Sequence, residues 1–287
     1  MPDFKNKSIL ITGGTGSLGT ALCKRLLKQE CKKIIVFSRD WQKQNELKEK
    51  LNDPPNMRWF IGDVRDLERL IMAFEMVDVV VHAAAIKCID ICEREPFEAK
   101  KTNIDGSENV ILACLKRGVS KAILISTDKA VFPVNLYGLT KATAERLFIR
   151  ANKLVGWKEI AFGVIRYGNV IGSNGSVVQK WRKCIESGEK ELPLTDERMT
   201  RFWYRIEDAV EFILTSLDEL KTGKGQIFIP NNIPSIYIKD LAKVFDMPYK
   251  IIGIRENEKL HEALDDGRTS DQNTRFLTVD EIRESLI

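Results

Sequence analysis

The chain has 287 residues, of which 44% are hydrophobic and 30% charged; this excludes a disordered polymer and suits a large α/β core with a smaller lobe. Its 45 Lys+Arg against 41 Asp+Glu leave a net charge of +4 spread along the sequence, so no nucleic acid partner is expected, although a few cations could face an anionic small molecule. The longest apolar stretch, Val77 to Ile86, is broken by Asp78 and His82, and Met1 to Lys7 is polar, so neither a membrane span nor a secretory leader is expected and the protein is expected in the cytoplasm.

In chain order, Lys7 to Thr12 (KSILIT) predicts a buried strand that ends in glycines, and Gly19 to Gln29 an amphipathic helix. Strand Lys33 to Phe37, helix Trp41 to Leu51, strand Arg58 to Ile61, helix Leu67 to Phe74 and strand Asp78 to His82 follow. A long helix is predicted from Pro96 to Arg117, then strand Lys121 to Ser126, helix Leu136 to Val155 and strand Glu159 to Arg166. Continuous apolar strands alternating with helices specify an α/β fold, a Rossmann-like doubly wound parallel sheet. Beyond Arg166 the alternation stops. Asn169 to Ser176 is polar and Gly-rich, Pro193 to Met199 reads as loop, and Lys259 to Thr274 as a polar, mobile segment. Glu207 to Leu217, Ile238 to Phe245 and Val279 to Ser285 read as helices, and Gln226 to Pro230 as a short strand. The expected division is an NADP-binding domain over 1–167 and a smaller, interrupted substrate lobe over 168–287, with the helix at 205–218 returning to the first.

Six cysteines (Cys23, Cys31, Cys88, Cys92, Cys114, Cys184) show no CxxC and no paired spacing, which predicts reduced thiols. Cys88 and Cys92 with His82 could mimic a ligand set, but the chain has only two histidines and no metal is expected.

Gly13, Gly16 and Gly19 form GxxGxxG between the first strand and the first helix. Glycines let the turn adopt φ > 0 and bring backbone close to a pyrophosphate, while the helix N-terminus offers free N–H groups. The same triplet could be only a tight turn, but its order after a strand and before a helix points to a cofactor loop that includes Thr15, Ser17 and Leu18. Ser38-Arg39-Asp40 ends the second strand. Arg39 suits a 2′-phosphate, so NADP is preferred to NAD, with Lys43 a further cation of the site; Asp40 could instead take the NAD role. Asp63 and Val64 fall where the adenine edge would lie, and Ala83, Ala84 and Ala85 are small enough for the dinucleotide to pass.

Tyr137 and Lys141 stand i, i+4 on one helix and share a face. A lysine ammonium there would lower the phenol's pKa and hold the nicotinamide ribose, and the tyrosine could then act as base on a sugar hydroxyl. The spacing alone is common; its position after the fifth strand makes it specific. Ser126-Thr127-Asp128-Lys129 closes that strand at the ligand crevice. Asp128 and Lys129 offer an acid and a base there, where a surface ion pair is the alternative.

Together these residues resemble the extended short-chain dehydrogenase/reductase superfamily, and within it the inverting UDP-N-acetylglucosamine 4,6-dehydratases of pseudaminic-acid-type sugar pathways. The similar segments are TGGTGSLG (Thr12 to Gly19), FSRD (Phe37 to Asp40), GDVRD (Gly62 to Asp66), HAAAIK (His82 to Lys87), KTNIDG (Lys101 to Gly106), STDKAV (Ser126 to Val131), YGLTK (Tyr137 to Lys141), RYGNVIGSNGSV (Arg166 to Val177), LPLTDERMTRFW (Leu192 to Trp203) and IGIRENEKLHE (Ile252 to Glu262), with the tail Phe276 to Leu286 also similar. The Thr-Asp-Lys triplet is the most informative, because retaining dehydratases carry Asp-Glu there and most epimerases neither.

The resemblance implies a lyase with tightly bound, recycled NADP. Tyr137 removes the proton of the sugar's 4-hydroxyl as carbon 4 is oxidised, a neutral Lys129 takes the hydrogen at carbon 5, and a protonated Asp128 assists loss of the 6-hydroxyl. Hydride then returns to carbon 6. Thr127 would bond near the 4-oxygen, and burial beside Lys141 would depress the Lys129 pKa. Lys87 would touch cofactor and sugar, and Asn103 the cofactor. Asn169 would bind near the diphosphate with Val177 close by, Thr195 would lie against the uridine with Met199 in the same pocket, Arg201 and Arg255 would pair with the diphosphate, and Glu258 would hold the ribose or uracil. A homo-oligomer, dimer or hexamer, is also implied.

The chain departs from the family pattern at Phe132, at Lys87-Cys88-Ile89-Asp90, at Asn257 and in a much shorter stretch after Glu262. Rival readings are a dehydratase that releases a 5,6-ene sugar, a UDP-sugar 4-epimerase, which would need no acid and base at 128 and 129, a sugar reductase consuming NADPH, and a non-catalytic dinucleotide-binding regulator.

Overall fold

The computed structural model describes residues 3–156, 158–172 and 175–286. Its first half alternates strand and helix: β1 (Ser8–Thr12), α1 (Ser17–Leu26), β2 (Lys33–Ser38), α2 (Trp41–Lys50), β3 (Met57–Ile61), α3 (Leu67–Ala73) and β4 (Val79–His82). Then come α4 (Ile89–Arg94), α5 (Pro96–Lys100), α6 (Gly106–Arg117), β5 (Lys121–Ile125), α7 (Leu136–Ala151) and β6 (Ala161–Ile165). The second half holds β7 (Asn169–Val170), α8 (Val177–Glu186), β8 (Leu192–Leu194), β9 (Thr200–Tyr204), α9 (Ile206–Glu219), β10 (Gln226–Phe228), β11 (Ser235–Tyr237), α10 (Ile238–Val244), β12 (Tyr249–Ile251), β13 (Ala263–Asp265), β14 (Arg268–Thr269) and α11 (Val279–Glu284).

Seven parallel strands form one sheet in the order β10-β6-β5-β4-β1-β2-β3. Both faces are covered, which is why the strands are continuous apolar runs rather than alternating ones. Ile9, Ile11 and Val36 pack one face with Leu22, Ile213 and Leu217, and Leu10, Ile35 and Phe37 pack the other with Leu70, Val110 and Phe148. Side-chain caps set helix starts: Asp40 accepts from the Lys43 N–H, Asp66 from Arg69 and Asn135 from Gly138. The strand order reverses between β1 and β4, and the crevice this opens at their C-terminal ends is the ligand position of such sheets. Both α9, packed on α1, and β10, the sheet's last strand, return from the second half of the chain.

Three expectations need correction. The helix expected over Pro96 to Arg117 is broken by a π-turn at Lys101–Asp105, where Asn103 turns inward to bond the backbone of Ile86. The loop expected over Pro193 to Met199 begins inside β8, which pairs with β12. The segment expected to be mobile, Lys259 to Thr274, folds into the β13–β14 hairpin, with Glu262 and Ser270 buried. A separate core of Val178, Trp181, Leu192, Leu194, Trp203, Leu241 and Ile282 supports β8 and β9.

Candidate active site

The C-terminal ends of the central strands open onto a cleft of about 950 Å³. At one end Gly13 has φ +69°, and a Cβ there would stand 2.9 Å from the Ala84 backbone. The N-cap of α1, Gly16, makes no side-chain cap bond, so the first-turn N–H groups are left for an anion. Thr15, Ser17, Leu18 and Gly19 line this end, opposite Ala83, Ala84 and Ala85. These features fit a dinucleotide diphosphate.

Past β2, Gln44 Nε2 donates to Ser38 Oγ at 3.0 Å, and the Asp40 carboxylate is held by the Lys43 N–H and the Lys43 ammonium. Arg39, half exposed, reaches Asp63 at 3.6 Å, and Asp63 and Val64 line the same end. Lys87 lies mid-cleft, where burial pushes its pKa down.

After β5 the chain turns through one 3-10 turn, Asp128–Ala130, started by Thr127, whose Oγ1 accepts from the Lys129 N–H. Thr127 Oγ1 donates to Asp128 Oδ1 at 2.9 Å, and Lys129 Nζ donates to the same oxygen at 3.0 Å. Asp128 is wholly enclosed behind the cleft wall, and its Oδ2 has no partner among the described residues. Burial raises its pKa against the pull of Lys129, which favours the protonated acid that the sequence reading required. Lys129 Nζ also reaches Glu262 Oε1 and Asn169 Oδ1, each at 3.4 Å. Here the expectation of a depressed lysine is corrected. Burial alone would strip the proton, but Asp128 and Glu262 outweigh it and hold the ammonium, while Arg201, not Lys141, supplies the opposing positive charge.

Tyr137 and Lys141 rise from α7 on one face, both buried, and line the cleft. Burial pushes the Tyr137 phenol up to about 12, opposed by Lys129 and Thr127. The expectation that Lys141 lowers it is therefore corrected: the cation acting on the phenol is Lys129. Burial lowers Lys141 to about 8, and Glu145, one turn along, works against this. Glu145 is fixed by Ser126 Oγ at 2.5 Å and by Arg166 at 2.6 Å.

Three residues of the expected site also meet partners within the protein. The Asn103 amide is taken up by the Ile86 backbone and Thr140 Oγ1, so it shapes the wall without lining it. Arg201 is buried, and its guanidinium donates to the carbonyls of Thr200, Leu260 and Lys259; it faces Lys129 and Glu262 rather than standing free for a diphosphate. Asn169 lines the cleft and accepts from Lys129 Nζ at 3.4 Å. Arg255 sits at the cleft rim, 3.4 Å from Asp90, which Lys180 also approaches. Thr195 Oγ1 donates to Glu258 Oε2 at 3.5 Å, so these two residues are brought together, with Met199 and Val177 on the same wall. Ser173 and Asn174 of the RYGNVIGSNGSV segment lie outside the described residues.

Sequence reasoning missed Glu262, Lys259, Glu145 and Asp90. Glu145 was readable, since it lies i+4 from Lys141 on the same helix face. Glu262 closes a similar segment but carried no signal of its own.

The family model of the polysaccharide biosynthesis proteins matches residues 9–283. The chain belongs to this family. Within it, the UDP-N-acetylglucosamine 4,6-dehydratase (inverting) of Campylobacter jejuni is 53% identical over 264 residues, 91% of this chain and 78% of that protein. A UDP-glucose 4-epimerase of Rickettsia akari is 40% identical over 91% of this chain and 78% of that protein. The X-ray structure of Pen from Bacillus thuringiensis, 32% identical, superposes with a TM-score of 0.92 and covers 98% of this chain and 97% of that one. This polysaccharide biosynthesis protein has a Rossmann-like fold, shared with the dTDP-glucose 4,6-dehydratase DesIV from Streptomyces venezuelae, which is 19% identical and superposes with a TM-score of 0.83 over 97% of this chain and 95% of that one.

Proposed function

We propose that this chain is a 5-inverting UDP-N-acetylglucosamine 4,6-dehydratase that makes the L-arabino 4-keto-6-deoxy sugar nucleotide for pseudaminic acid or a related surface glycan. The observation that carries the reading is the hydrogen bond from Lys129, which lines the cleft beside Thr127 and Tyr137, to Asp128 just behind the cleft wall. A 4-epimerase has no use for this second acid and base, and the greater identity to the inverting dehydratase supports the same choice.

NADP would lie on the Gly13–Gly19 loop, with Arg39 and Lys43 at its 2′-phosphate, and when bound it accepts the hydride of carbon 4 and returns it to carbon 6. Tyr137, as the phenolate that the charge of Lys129 and the Thr127 hydroxyl stabilise, takes the proton of the 4-hydroxyl and becomes the phenol. Passing one proton across the 3.0 Å bond turns the resting Lys129 ammonium and Asp128 carboxylate into a neutral amine and a carboxylic acid. The C5–H bond then breaks to Lys129, its electron pair forms the C5–C6 double bond as the C6–O bond breaks, and Asp128 gives the proton that leaves as water. The enolate left when hydride returns to carbon 6 would take a solvent-derived proton at carbon 5 on the face opposite Lys129, which inverts that centre. Lys141 would hold the nicotinamide ribose, Thr195 and Glu258 the nucleoside, and Arg255 the diphosphate. Phe97, Leu112 and Leu139, apolar and exposed on α5, α6 and α7, support a homo-oligomer. No described helix is long and apolar enough to cross a membrane, in keeping with a cytoplasmic enzyme.

Incubation with UDP-N-acetylglucosamine in deuterated water, without added reductant, tests this by proton NMR. A 6-deoxy methyl signal with deuterium at carbon 5 and L-arabino couplings is expected. A vinylic methylene signal alone would mean that the 5,6-ene is released, and UDP-N-acetylgalactosamine alone would mean an epimerase.

A further inference from the structure

Glu262 stands at the start of the β13–β14 hairpin. Its carboxylate is almost fully enclosed. Oε1 lies 3.4 Å from Lys129 Nζ, and Oε2 accepts from Lys259 Nζ at 3.3 Å. Lys259 also donates to the carbonyl of Val131 at 2.6 Å, directly after the turn that carries Asp128 and Lys129. The Glu262 backbone is fixed on both sides by Ser270, whose Oγ accepts the Glu262 N–H at 3.0 Å and whose N–H donates to the Glu262 carbonyl at 2.8 Å. A buried carboxylate persists only when paired, and this one faces three cations: Lys129, Lys259 and Arg201. They hold it ionised, so it is a fixed negative charge, whereas Asp128 on the far side of Lys129 exchanges a proton.

We infer that Glu262 is a positioning residue that holds Lys129 opposite Asp128 and stabilises the ammonium formed when Lys129 takes the hydrogen from carbon 5. The inference rests on the dehydratase reading above. Lys129 is faced by Asp128 on its own turn, Tyr137 on α7, Arg201 on β9, Asn169 on β7 and Glu262 on the hairpin. Of the two carboxylates, only Glu262 keeps its charge through the step, so it sets the strength of the base without taking part in proton transfer.

The test is the pH profile of deuterium exchange at carbon 5 of UDP-N-acetylglucosamine by the cofactor-loaded full chain. Glu262→Gln removes the anion: kcat is expected to fall about 10-fold with KM little changed, and the acid limb to move to lower pH by about one unit. Lys259→Met frees Glu262 of a competing cation and is expected to move the same limb to higher pH. Glu262→Asp, which keeps the charge, restores the wild-type limb. Opposite movements support the inference; a merely structural role would lower activity in both variants with the limb unmoved, and that result overturns it. Absence of carbon 5 exchange by the wild-type chain would overturn the dehydratase reading and the inference with it, whereas exchange with unmoved limbs would overturn the inference alone.

Discussion

The Asp40 carboxylate accepts the backbone N–H of Lys43 at 3.1 Å, so the acid that could have bound a ribose 2′-hydroxyl is spent on capping α2. Arg39, Asp40 and Lys43 all line the cleft there, and the Asp40 carboxylate is met by both the N–H and the ammonium of Lys43. Arg39→Ala is therefore expected to weaken NADP binding about 10- to 100-fold, the worth of a charge-assisted contact to phosphate, and to leave NAD binding nearly unchanged. Titration calorimetry on cofactor-stripped protein checks it; equal losses for both dinucleotides would return Asp40 to contention.

Lys129 and Tyr137 act on different hydrogens of the sugar in the proposed reaction, so the two steps should separate. Lys129→Met is expected to abolish deuterium uptake at carbon 5, by at least about 100-fold, while oxidation at carbon 4 continues and the bound nicotinamide accumulates in its reduced form. Stopped-flow absorbance with NMR of the quenched sugar distinguishes this from Tyr137→Phe, which should block both.

Local patterns were legible in the sequence because they are local in physics. The glycine loop, the Ser38-Arg39-Asp40 end of β2 and the Tyr137/Lys141 face each depend on residues a few positions apart. The Glu262–Lys129 contact had no such signature: it exists because a hairpin from the end of the chain packs behind the turn after β5, and no periodicity reports that. β9 was hidden for a related reason. All five residues Thr200–Tyr204 are buried, so the strand shows neither alternation nor a purely apolar run, and only its pairing with β11 and β7 reveals it. The π-turn at Lys101–Asp105 likewise serves a bond between Asn103 and Ile86 that the helical pattern could not foretell.

Gly138 sits in the first turn of α7, and a Cβ there would collide with the carbonyl oxygen of Lys129 and come within 3.0 Å of Pro133. The neighbour is backbone, so relief requires the turn bearing Lys129, the proposed base, to shift. Gly138→Ala is expected to lower kcat about 100-fold, in line with an ångström-scale misplacement, with the fold retained. Near-wild-type turnover with an unchanged circular dichroism spectrum would show that the turn gives way freely.

His82 links acid stability to the cleft. Its ring is enclosed at the end of β4, with Nδ1 2.7 Å from Thr12 Oγ1 and Nε2 3.1 Å from Ser107 Oγ. Ser107 donates its own proton to the Asn103 carbonyl, so its oxygen accepts from Nε2–H, and Nδ1 in turn accepts from Thr12. The neutral ring satisfies both contacts and the charged ring cannot. Burial, aided by Lys141, drives the pKa from the usual 6.5 down to about 3. Between those values the unfolded chain binds a proton that the folded chain refuses. The contribution to stability is therefore complete above pH 6.5 and is lost as pH falls through the window, at about 1.4 kcal/mol per pH unit, or about 2 kcal/mol by pH 5. His82→Asn, which retains a donor and an acceptor, is expected to be less stable at pH 7 but to lose about 2 kcal/mol less on going to pH 5. Urea midpoints at the two pH values measure this, and parallel losses in both proteins would mean that another buried group sets the acid limit.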